Sequence, residues 1–331
     1  MRPLPEQAVH LPFEPGLYRL AMDLVTVPEA AWFELDQRYL PEMAERRRLL
    51  VEAHADVFAA TPGSGAARAE ALASVVEALA AHHPDWFSRD GDVVRNHLTG
   101  ETLDVRLADP LELAGRLVQE DLCLIQNSEH GPIFTAAVLC FPSRWRLIDK
   151  IGKPLSAVHG PVPFYADRLA GPVNRFMRHL KVGRIASRLN WSLLDDPALF
   201  QPGGQRRADV GTVITAKNAG SRGFLRVERQ TLRRLPDSGA VLFGIRVHVY
   251  LLERVIDRPE RAAALAEAVR ALPGEIVHYK SMRPFWEALL AWLDAWQPSD
   301  GSSCRNSTVS PGRHSRTAQI FSDFSKETFR S

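Results

Sequence analysis

Residues 223–252 carry the pattern that most restricts how this chain of 331 residues can fold. Two long β-rich runs flank the sequence Pro236-Asp-Ser-Gly239, which is typical of a turn because Gly239 can take a positive φ. In the second run, apolar residues alternate without a break at Val241, Phe243, Ile245, Val247, Val249 and Leu251. Because side chains alternate between the two faces of a strand, this run predicts a hairpin strand with one buried face.

A second hairpin and several helices are predicted around it. Leu122–Asn127 and Ile133–Phe141 are two apolar runs joined by a short turn sequence. The Pro-rich residues 1–30 are expected to be extended. Helical spacing is found at Ala30–Ala60, Ala66–His82, 110–120, Phe164–Leu180 (divided at Gly171-Pro172), Arg258–Ala271 and Met282–Trp296. The predicted fold class is α+β, a mainly antiparallel sheet with flanking helices, since no βαβ series is visible.

Charge is distributed unevenly along the chain. Residues 301–331 hold five of the 41 basic and two of the 39 acidic residues, which leaves 36 basic and 37 acidic residues in 1–300. The body is therefore nearly neutral and does not indicate a nucleic-acid partner. We expect one domain over 1–300, with an N-terminal helical extension, and a disordered or aberrant tail over 301–331.

Cysteine content and hydropathy indicate the compartment. The three cysteines, Cys123, Cys140 and Cys304, form no disulfide framework, so a reducing compartment is expected. No apolar run approaches the ~18 residues of a membrane span, and no secretory signal is recognised. The sequence therefore predicts a cytoplasmic protein without a membrane segment.

Common catalytic motifs are absent, and one proline-rich stretch remains. The sequence has no dinucleotide or phosphate loop, no H-E-x-x-H, no G-x-S-x-G and no cysteine–histidine zinc cluster. His159 lies between prolines in Val158-His-Gly-Pro-Val-Pro163, where a stiff backbone would orient an imidazole as a metal or haem-iron ligand. A structural or surface histidine is the alternative. Arg144 and Arg146 either bind anionic groups such as haem propionates or belong to a solvated basic loop.

The first strand of the 223–252 hairpin carries a second candidate group. Period-2 alternation places Arg226, Glu228 and Gln230 on one face. A carboxylate between an arginine and a glutamine could recognise an amine. An ordinary cross-strand ladder of ion pairs explains the same pattern.

Several sequence blocks resemble the haem-dependent oxidative N-demethylase family, and more specifically its haem-binding α-subunit. They occur in order between about residues 12 and 296. The blocks are PFEPGLYRLAMDL (12–24), WFELDQRY (32–39), CFPSRW (140–145), DKIGKPL (149–155), VHGPVPFY (158–165), LNWSL (189–193) and RVERQTLRRLPDSGAVLFGIR (226–246).

The resemblance implies a haem b in a PAS-like antiparallel sheet, and oxidative demethylation of a small secondary methylamine such as dimethylamine. O2 and electrons would be consumed, and formaldehyde and the shorter amine released. His159 then becomes the first candidate for the axial iron ligand, with His130 and His248 as rivals. From residue type and strand face, and not from the resemblance, we expect Glu228 to hold the amine, Arg226 and Gln230 to fix its rotamer, and Tyr165 to supply a hydrogen bond.

The sequence has neither a ferredoxin-type cysteine motif nor a flavin or nicotinamide loop, so an oxygenase would need a separate FMN and iron–sulfur reductase. Two other functions remain open at this point. One is a haem or small-ligand sensor that uses the same sheet without turnover. The other is a haem-free structural or binding protein.

Overall fold

The predicted hairpin of residues 223–252 lies at the centre of a large antiparallel sheet. The computed structural model describes residues 2–16, 18–129, 131–203 and 213–296, which belong to one unit, Met1–Trp296. Its strands are β1 Val25–Val27, β2 Phe58–Ala60, β3 Phe87–Asp90, β4 Val93–Asn96, β5 Glu101–Asp104, β6 Asp121–Ser128, β7 Gly131–Val138, β8 Ile185–Leu194, β9 Phe224–Arg234 and β10 Val241–Leu251.

Seven of these strands form the main sheet, in the order β1-β8-β9-β10-β6-β7-β2, and β3-β4-β5 form a small second sheet. All the paired neighbours run antiparallel. The predicted antiparallel sheet is therefore confirmed, as are both predicted hairpins. β8 and the small sheet were not predicted, because their sequences lack a sustained apolar alternation.

Helices flank the sheet, as predicted. They are α1 Tyr39–Glu52, α2 His54–Val57, α3 Gly65–His82, α4 Pro110–Gly115, α5 Leu155–Val158, α6 Tyr165–Arg168, α7 Ala170–His179, α8 Ala219–Arg222, α9 Leu252–Val255, α10 Pro259–Arg270, α11 Gly274–Tyr279 and α12 Trp286–Asp294. Short 3-10 turns lie at Glu29–Ala31, Pro62–Ser64, Leu147–Asp149 and Arg283–Phe285. Within the described ranges, none of the helices combines the length and apolarity needed to cross a bilayer.

Two helix predictions were wrong in detail. The helical segment predicted from Ala30 to Ala60 is regular only over α1, with α2 and β2 after it. The break predicted at Gly171-Pro172 lies instead at Leu169, between α6 and α7. Pro172 is in the first turn of α7, where its missing amide hydrogen has no intrahelical partner to lose.

The main sheet has two faces, and β10 has buried side chains on both of them, not only on the apolar face that was predicted. The first face carries Glu228 of β9, with Val247 of β10 as its cross-strand neighbour. The second face carries Arg246 and His248, which are completely buried. Burial of the second face has a physical cause, because Gln7, Glu34 and Asp36 lie against it and supply polar partners for these two side chains.

Apolar packing leaves one part of the first face to polar groups. Leu155 of α5 and Met177 of α7 pack with Ile125, Leu232 and Val241 at one end of that face. A second cluster joins α8–α12 to side chains of β8–β10 that share the second face with His248, such as Leu225 and Val227. Glu228, on the first face, is only partly buried. The predicted boundary at residue 300 and the tail lie outside the described residues.

Candidate functional site

His159 follows α5 and is held in one orientation by its own helix. Its Nδ1 lies 2.9 Å from the Leu155 carbonyl oxygen, and its ring stacks on Tyr165 with centroids 4.5 Å apart. Burial lowers the pKa of His159 to about 4, so the imidazole is neutral at pH 7. Nδ1–H then donates to the carbonyl, and the lone pair is on Nε2, which has no hydrogen-bond partner among the described residues. This is the state that a metal-ligating histidine requires.

Tyr165 supplies a buried hydroxyl next to this ring. Its Oη has no hydrogen-bond partner within the described parts of the chain. Burial raises the pKa of Tyr165 to about 12, so the hydroxyl keeps its proton at neutral pH. A buried donor without a partner normally costs free energy. Tyr165 is therefore available to a ligand beside His159.

Glu228 is fixed through one of its two carboxylate oxygens. Oε2 accepts hydrogen bonds from Gln230 Nε2 at 3.0 Å and from Asn190 Nδ2 at 3.2 Å. Among the described residues Oε1 has no hydrogen-bond donor, and Glu228 has no ion pair within 4.0 Å. Its cross-strand neighbours are Asn190 and Val247, so the register does not form a ladder of opposite charges.

Three cations interact electrostatically with Glu228, and the sequence did not indicate their role. Burial lowers the pKa of Lys150 and that of Lys280 to about 8, while the Glu228 carboxylate acts in the opposite direction on both. Burial also lowers the pKa of Arg188, whose Nε has no partner in the described structure. Lys150 and Arg188 also act electrostatically on His159. His159, Glu228, Lys150 and Arg188 therefore belong to one region.

The reasons why these cations were missed differ. Arg188 lies on β8, which was not predicted, and Lys280 is more than 50 residues away from Glu228 in sequence. Lys280 Nζ donates to the Trp191 carbonyl oxygen, and Lys150 Nζ lies 4.0 Å from the centroid of the Trp145 ring. Only Lys150 belongs to a sequence block that was singled out.

The two arginines predicted to bind anions have other contacts. Arg144 is buried, and its Nη2 lies 2.5 Å from Asp195 Oδ1. Arg146 is exposed and lies 3.9 Å from Asp56. In the described structure neither arginine contacts His159 or Glu228. Their proposed role as propionate partners stays a prediction.

Of the two side chains predicted to fix Glu228, only Gln230 contacts it. Arg226 is on the same face, as predicted, but its guanidinium is buried against backbone carbonyls. Nη2 donates to the Phe141 oxygen at 2.6 Å, and Nη1 lies 3.5 and 3.4 Å from the oxygens of Ala198 and Leu199. Arg226 thus ties β9 to two neighbouring loops.

The rival histidines are placed differently. His248 is on the second face, where its Nδ1 lies 3.2 Å from Gln7 Nε2 and its Nε2 lies 2.9 Å from Glu34 Oε2. Both ring nitrogens therefore have partners, and the sheet separates His248 from Glu228. His130 lies outside the described residues.

Together, these features define a mixed α/β protein with a polar candidate site on one face of an antiparallel sheet. At that site Lys150 and Arg188 act electrostatically both on the neutral imidazole of His159 and on the Glu228 carboxylate. A family model described as haem-dependent oxidative N-demethylase, alpha subunit-like, matches residues 24–290, and the chain belongs to this family. The resemblance inferred from the sequence blocks is thereby confirmed. Membership supports a haem-dependent, N-demethylase-like oxidoreductase function and indicates that the chain works with a partner subunit.

Proposed function

We propose that this chain is the haem-binding subunit of an oxygenase that demethylates a small secondary methylamine such as dimethylamine. The reaction converts the amine, O2, two electrons and two protons into the shorter amine, formaldehyde and water. The observation that carries the proposal is the state of His159, a neutral imidazole whose Nδ1 is bound to a backbone carbonyl and whose Nε2 is unpartnered.

The residues around His159 suit a haem b. His159 Nε2 would be the axial ligand, and its Nδ1–H to Leu155 would fix the ring plane and increase its basicity. When bound, the haem supplies the activation of O2 that no amino-acid side chain can provide. The partnerless Tyr165 hydroxyl is a hydrogen-bond donor for a ligand held in this region.

The charge of the site supports the same cofactor. Lys150, Arg188 and Lys280 are cations that interact with the Glu228 carboxylate, and Lys150 and Arg188 also interact with Asp149 and Asp23 respectively. A haem b carries two propionates, with which such cations could form ion pairs. We therefore propose Lys150 and Arg188 as propionate partners in preference to Arg144 and Arg146, which already face Asp195 and Asp56.

Glu228 would bind the amine. Gln230 and Asn190 hold Oε2, and this leaves Oε1 to accept a hydrogen bond from the substrate nitrogen. A carboxylate fixed by two donors loses little side-chain freedom on binding, so it can hold the nitrogen in a defined position. The Tyr165 hydroxyl is a second group that could donate a proton or a hydrogen bond in this region.

The fold supports a PAS-like arrangement, as the resemblance implies. Five adjacent antiparallel strands, β7-β6-β10-β9-β8, form the centre of the sheet, and α5–α7 connect β7 to β8 on the side of the first face. His159 belongs to this connection.

Electrons would come from a separate reductase. Three cysteines are too few for the four thiolates of an iron–sulfur cluster. Burial raises the pKa of the Cys123 and Cys140 thiols, which makes them poor ligands for a metal cluster. We propose an FMN and iron–sulfur protein as this electron donor.

The test compares two histidines with the same local geometry. His179 also has its Nδ1 near the carbonyl oxygen four residues earlier, at 2.8 Å from Arg175, but it is exposed at the end of α7. We expect the full-length protein to show a Soret band when it is expressed with a haem precursor. H159A should lose or shift that band, and H179A should keep it. A colourless wild-type protein, or identical spectra for H159A and wild type, would contradict the proposal.

Turnover separates the oxygenase from a sensor. The haem-loaded protein is reduced and mixed with dimethylamine and O2, and formaldehyde is measured. We expect formaldehyde in proportion to the electrons supplied. A protein that binds haem and amine but forms no formaldehyde above the amine-free control would be a sensor.

A further inference from the structure

We propose that His10, Glu34 and His248 bind one divalent transition-metal ion of the zinc class on the second face of the sheet. This site is separate from the His159 region and does not depend on the function proposed for it. It would fasten the N-terminal segment, residues 2–16, to β10.

The three ligand atoms are already gathered together. His10 Nε2 lies 3.2 Å and His248 Nε2 lies 2.9 Å from the same oxygen, Glu34 Oε2. All three atoms lie within 4.8 Å of one another. Ligands at ~2.1 Å from a zinc-class ion, in tetrahedral or octahedral geometry, are about 2.9–3.4 Å apart. The two contacts with Glu34 meet this range, and a small movement of His10 would bring in the third.

The donor set selects the class of ion. Two imidazole nitrogens and one carboxylate oxygen are ligands of intermediate softness, which suit zinc and its neighbours better than magnesium or calcium. His248 is completely buried, whereas the side chains of His10 and Glu34 are 20% and 24% exposed. An ion therefore has a path in from the side of His10.

Acidic and basic side chains are closely balanced around Glu34. Glu34, Asp36 and Glu42 face Arg229 and Arg246, with one carboxylate oxygen of each acid 2.7–3.1 Å from a guanidinium nitrogen. Arg38 also acts on Glu42 and Arg46 on the buried Glu120, and burial raises the pKa of both carboxyl groups, that of Glu120 to about 7. The proposal therefore depends on the two histidine contacts of Glu34 and not on an excess of negative charge.

Groups in contact with the ligands can orient them. Arg229 Nε lies 3.1 Å from Glu34 Oε1 and leaves Oε2 facing the two histidines. The Gln7 amide lies 3.2 Å from His248 Nδ1. With a metal on Nε2 of His248, Nδ1 carries the proton. When the Gln7 amide is flipped, its oxygen can accept a hydrogen bond from this Nδ1–H. Hydrogen-bonded partners of this kind typically accompany metal-bound histidines.

The competing explanation is a hydrogen-bonded cluster without an ion, in which each imidazole donates Nε2–H to Glu34. It has the same heavy-atom distances, so metal binding must be measured directly. The chain offers a matched control, because His54 Nε2 lies 2.8 Å from Glu112 Oε2 in an exposed pair that has no second histidine.

The experiment uses full-length, untagged protein stripped with a chelator. Zn²⁺ affinity and stoichiometry are measured by calorimetry, and Co²⁺ is added as a visible probe. We expect one tight Zn²⁺ per chain and Co²⁺ ligand-field bands in the wild type. H10A should weaken Zn²⁺ binding by about 100-fold and Q7L by about tenfold, while H54A should leave it unchanged. Zn²⁺ should also raise the Tm of the wild type and not that of H10A.

Two results would overturn the proposal. One is the absence of Co²⁺ ligand-field bands in the wild-type protein, a result that does not depend on the folding of any variant. The other is equal Zn²⁺ affinity in the wild type and in H10A. The Soret band of the haem-loaded protein is recorded for each variant and should not change, so failure of this site and failure of the haem proposal are distinguishable.

Discussion

The two carboxylates at the centre of the two sheet faces differ in how they are held. Glu34 has a guanidinium on one oxygen and two imidazoles near the other. These partners lower the pKa of Glu34 despite its burial. Glu228 has two neutral amide donors on Oε2 and no partner on Oε1 among the described residues. The first carboxylate is held by a guanidinium and two imidazoles, whereas Oε1 of the second has no partner in the described structure.

Replacement of Glu228 tests its proposed role at the scale of one residue. E228Q keeps the shape of the side chain and removes its charge, so we expect dimethylamine to bind the haem-loaded protein about 10–100-fold more weakly, the loss of one charged hydrogen bond. E253Q, in an exposed position on α9, is the control. The dissociation constant is read from the change in the Soret band on titration with the amine. Unchanged affinity in E228Q would eliminate Glu228 as the amine ligand.

The protonation of His159 gives a prediction for the haem-free protein. Its pKa is about 4 in the folded chain and near 6.5 in the unfolded chain, so between these values the unfolded state binds more protons. Stability that depends on neutral His159 is present above pH 6.5 and is lost as the pH falls towards 4. Between pH 7 and pH 5 the free energy of unfolding, measured in urea, should fall by roughly 1–2 kcal/mol more in the wild type than in H159A. Equal losses in the two proteins would contradict this pKa.

At the scale of elements, strand alternation was the most reliable predictor. It located β9 and β10 and placed Arg226, Glu228 and Gln230 on a common face. It did not show that the second face of β10 is also buried, because Arg246 and His248 are polar residues that a one-sided strand would expose. Their burial depends on partners more than 200 residues away, such as Asp36 and Glu34, and local periodicity contains no information about such contacts.

Only part of the candidate site could be predicted from the sequence, because local patterns do not show contacts between distant elements. His159, Tyr165, Glu228 and Gln230 could be chosen as candidates from the sequence, because each lies in a distinctive block or on a regular strand. Arg188 and Lys280 were not, since they come close to Glu228 only through the pairing of β8 with β9 and the return of the chain after α11. Charge compensation across elements can be read from a structure but not from a single stretch of sequence.

Gly244 lies where β9 and β10 pack closely, so its replacement tests that packing. A Cβ at this position would lie 2.8 Å from Thr231 Oγ1, whereas a Cβ at Gly171, in the first turn of α7, would meet nothing within 4 Å. We therefore expect G244A to reduce the free energy of unfolding by roughly 1–3 kcal/mol and G171A to raise it by about 0.5–1 kcal/mol. Urea unfolding measures both. If G244A leaves the free energy of unfolding unchanged, β9 and β10 can separate locally at little cost.

At the scale of the whole molecule, the main long-range contact joins the N-terminal segment, residues 2–16, to β10. Residues 7–10 meet residues 248–250 across about 240 positions of sequence. The Tyr250 hydroxyl donates to the Ala8 carbonyl at 2.6 Å and accepts from the His10 amide at 3.3 Å. This contact covers the second face and keeps its charged groups from water, while the first face retains the polar region around Glu228.

Two of the buried tyrosines, Tyr250 and Tyr165, allow this closure to be measured. In the haem-free protein Y250F removes a hydroxyl with two partners and leaves the Ala8 carbonyl and the His10 amide unpaired, so we expect a loss of roughly 1–3 kcal/mol in the free energy of unfolding. Y165F removes a hydroxyl without a partner in the described structure and should change stability by less than about 0.5 kcal/mol or increase it. Hydrogen exchange at the amides of residues 8–10 should speed up in Y250F only, because the N-terminal segment then opens more readily. If both variants lose the same stability with no change in exchange, the Tyr250 hydroxyl does not fasten this segment, and packing alone covers the second face.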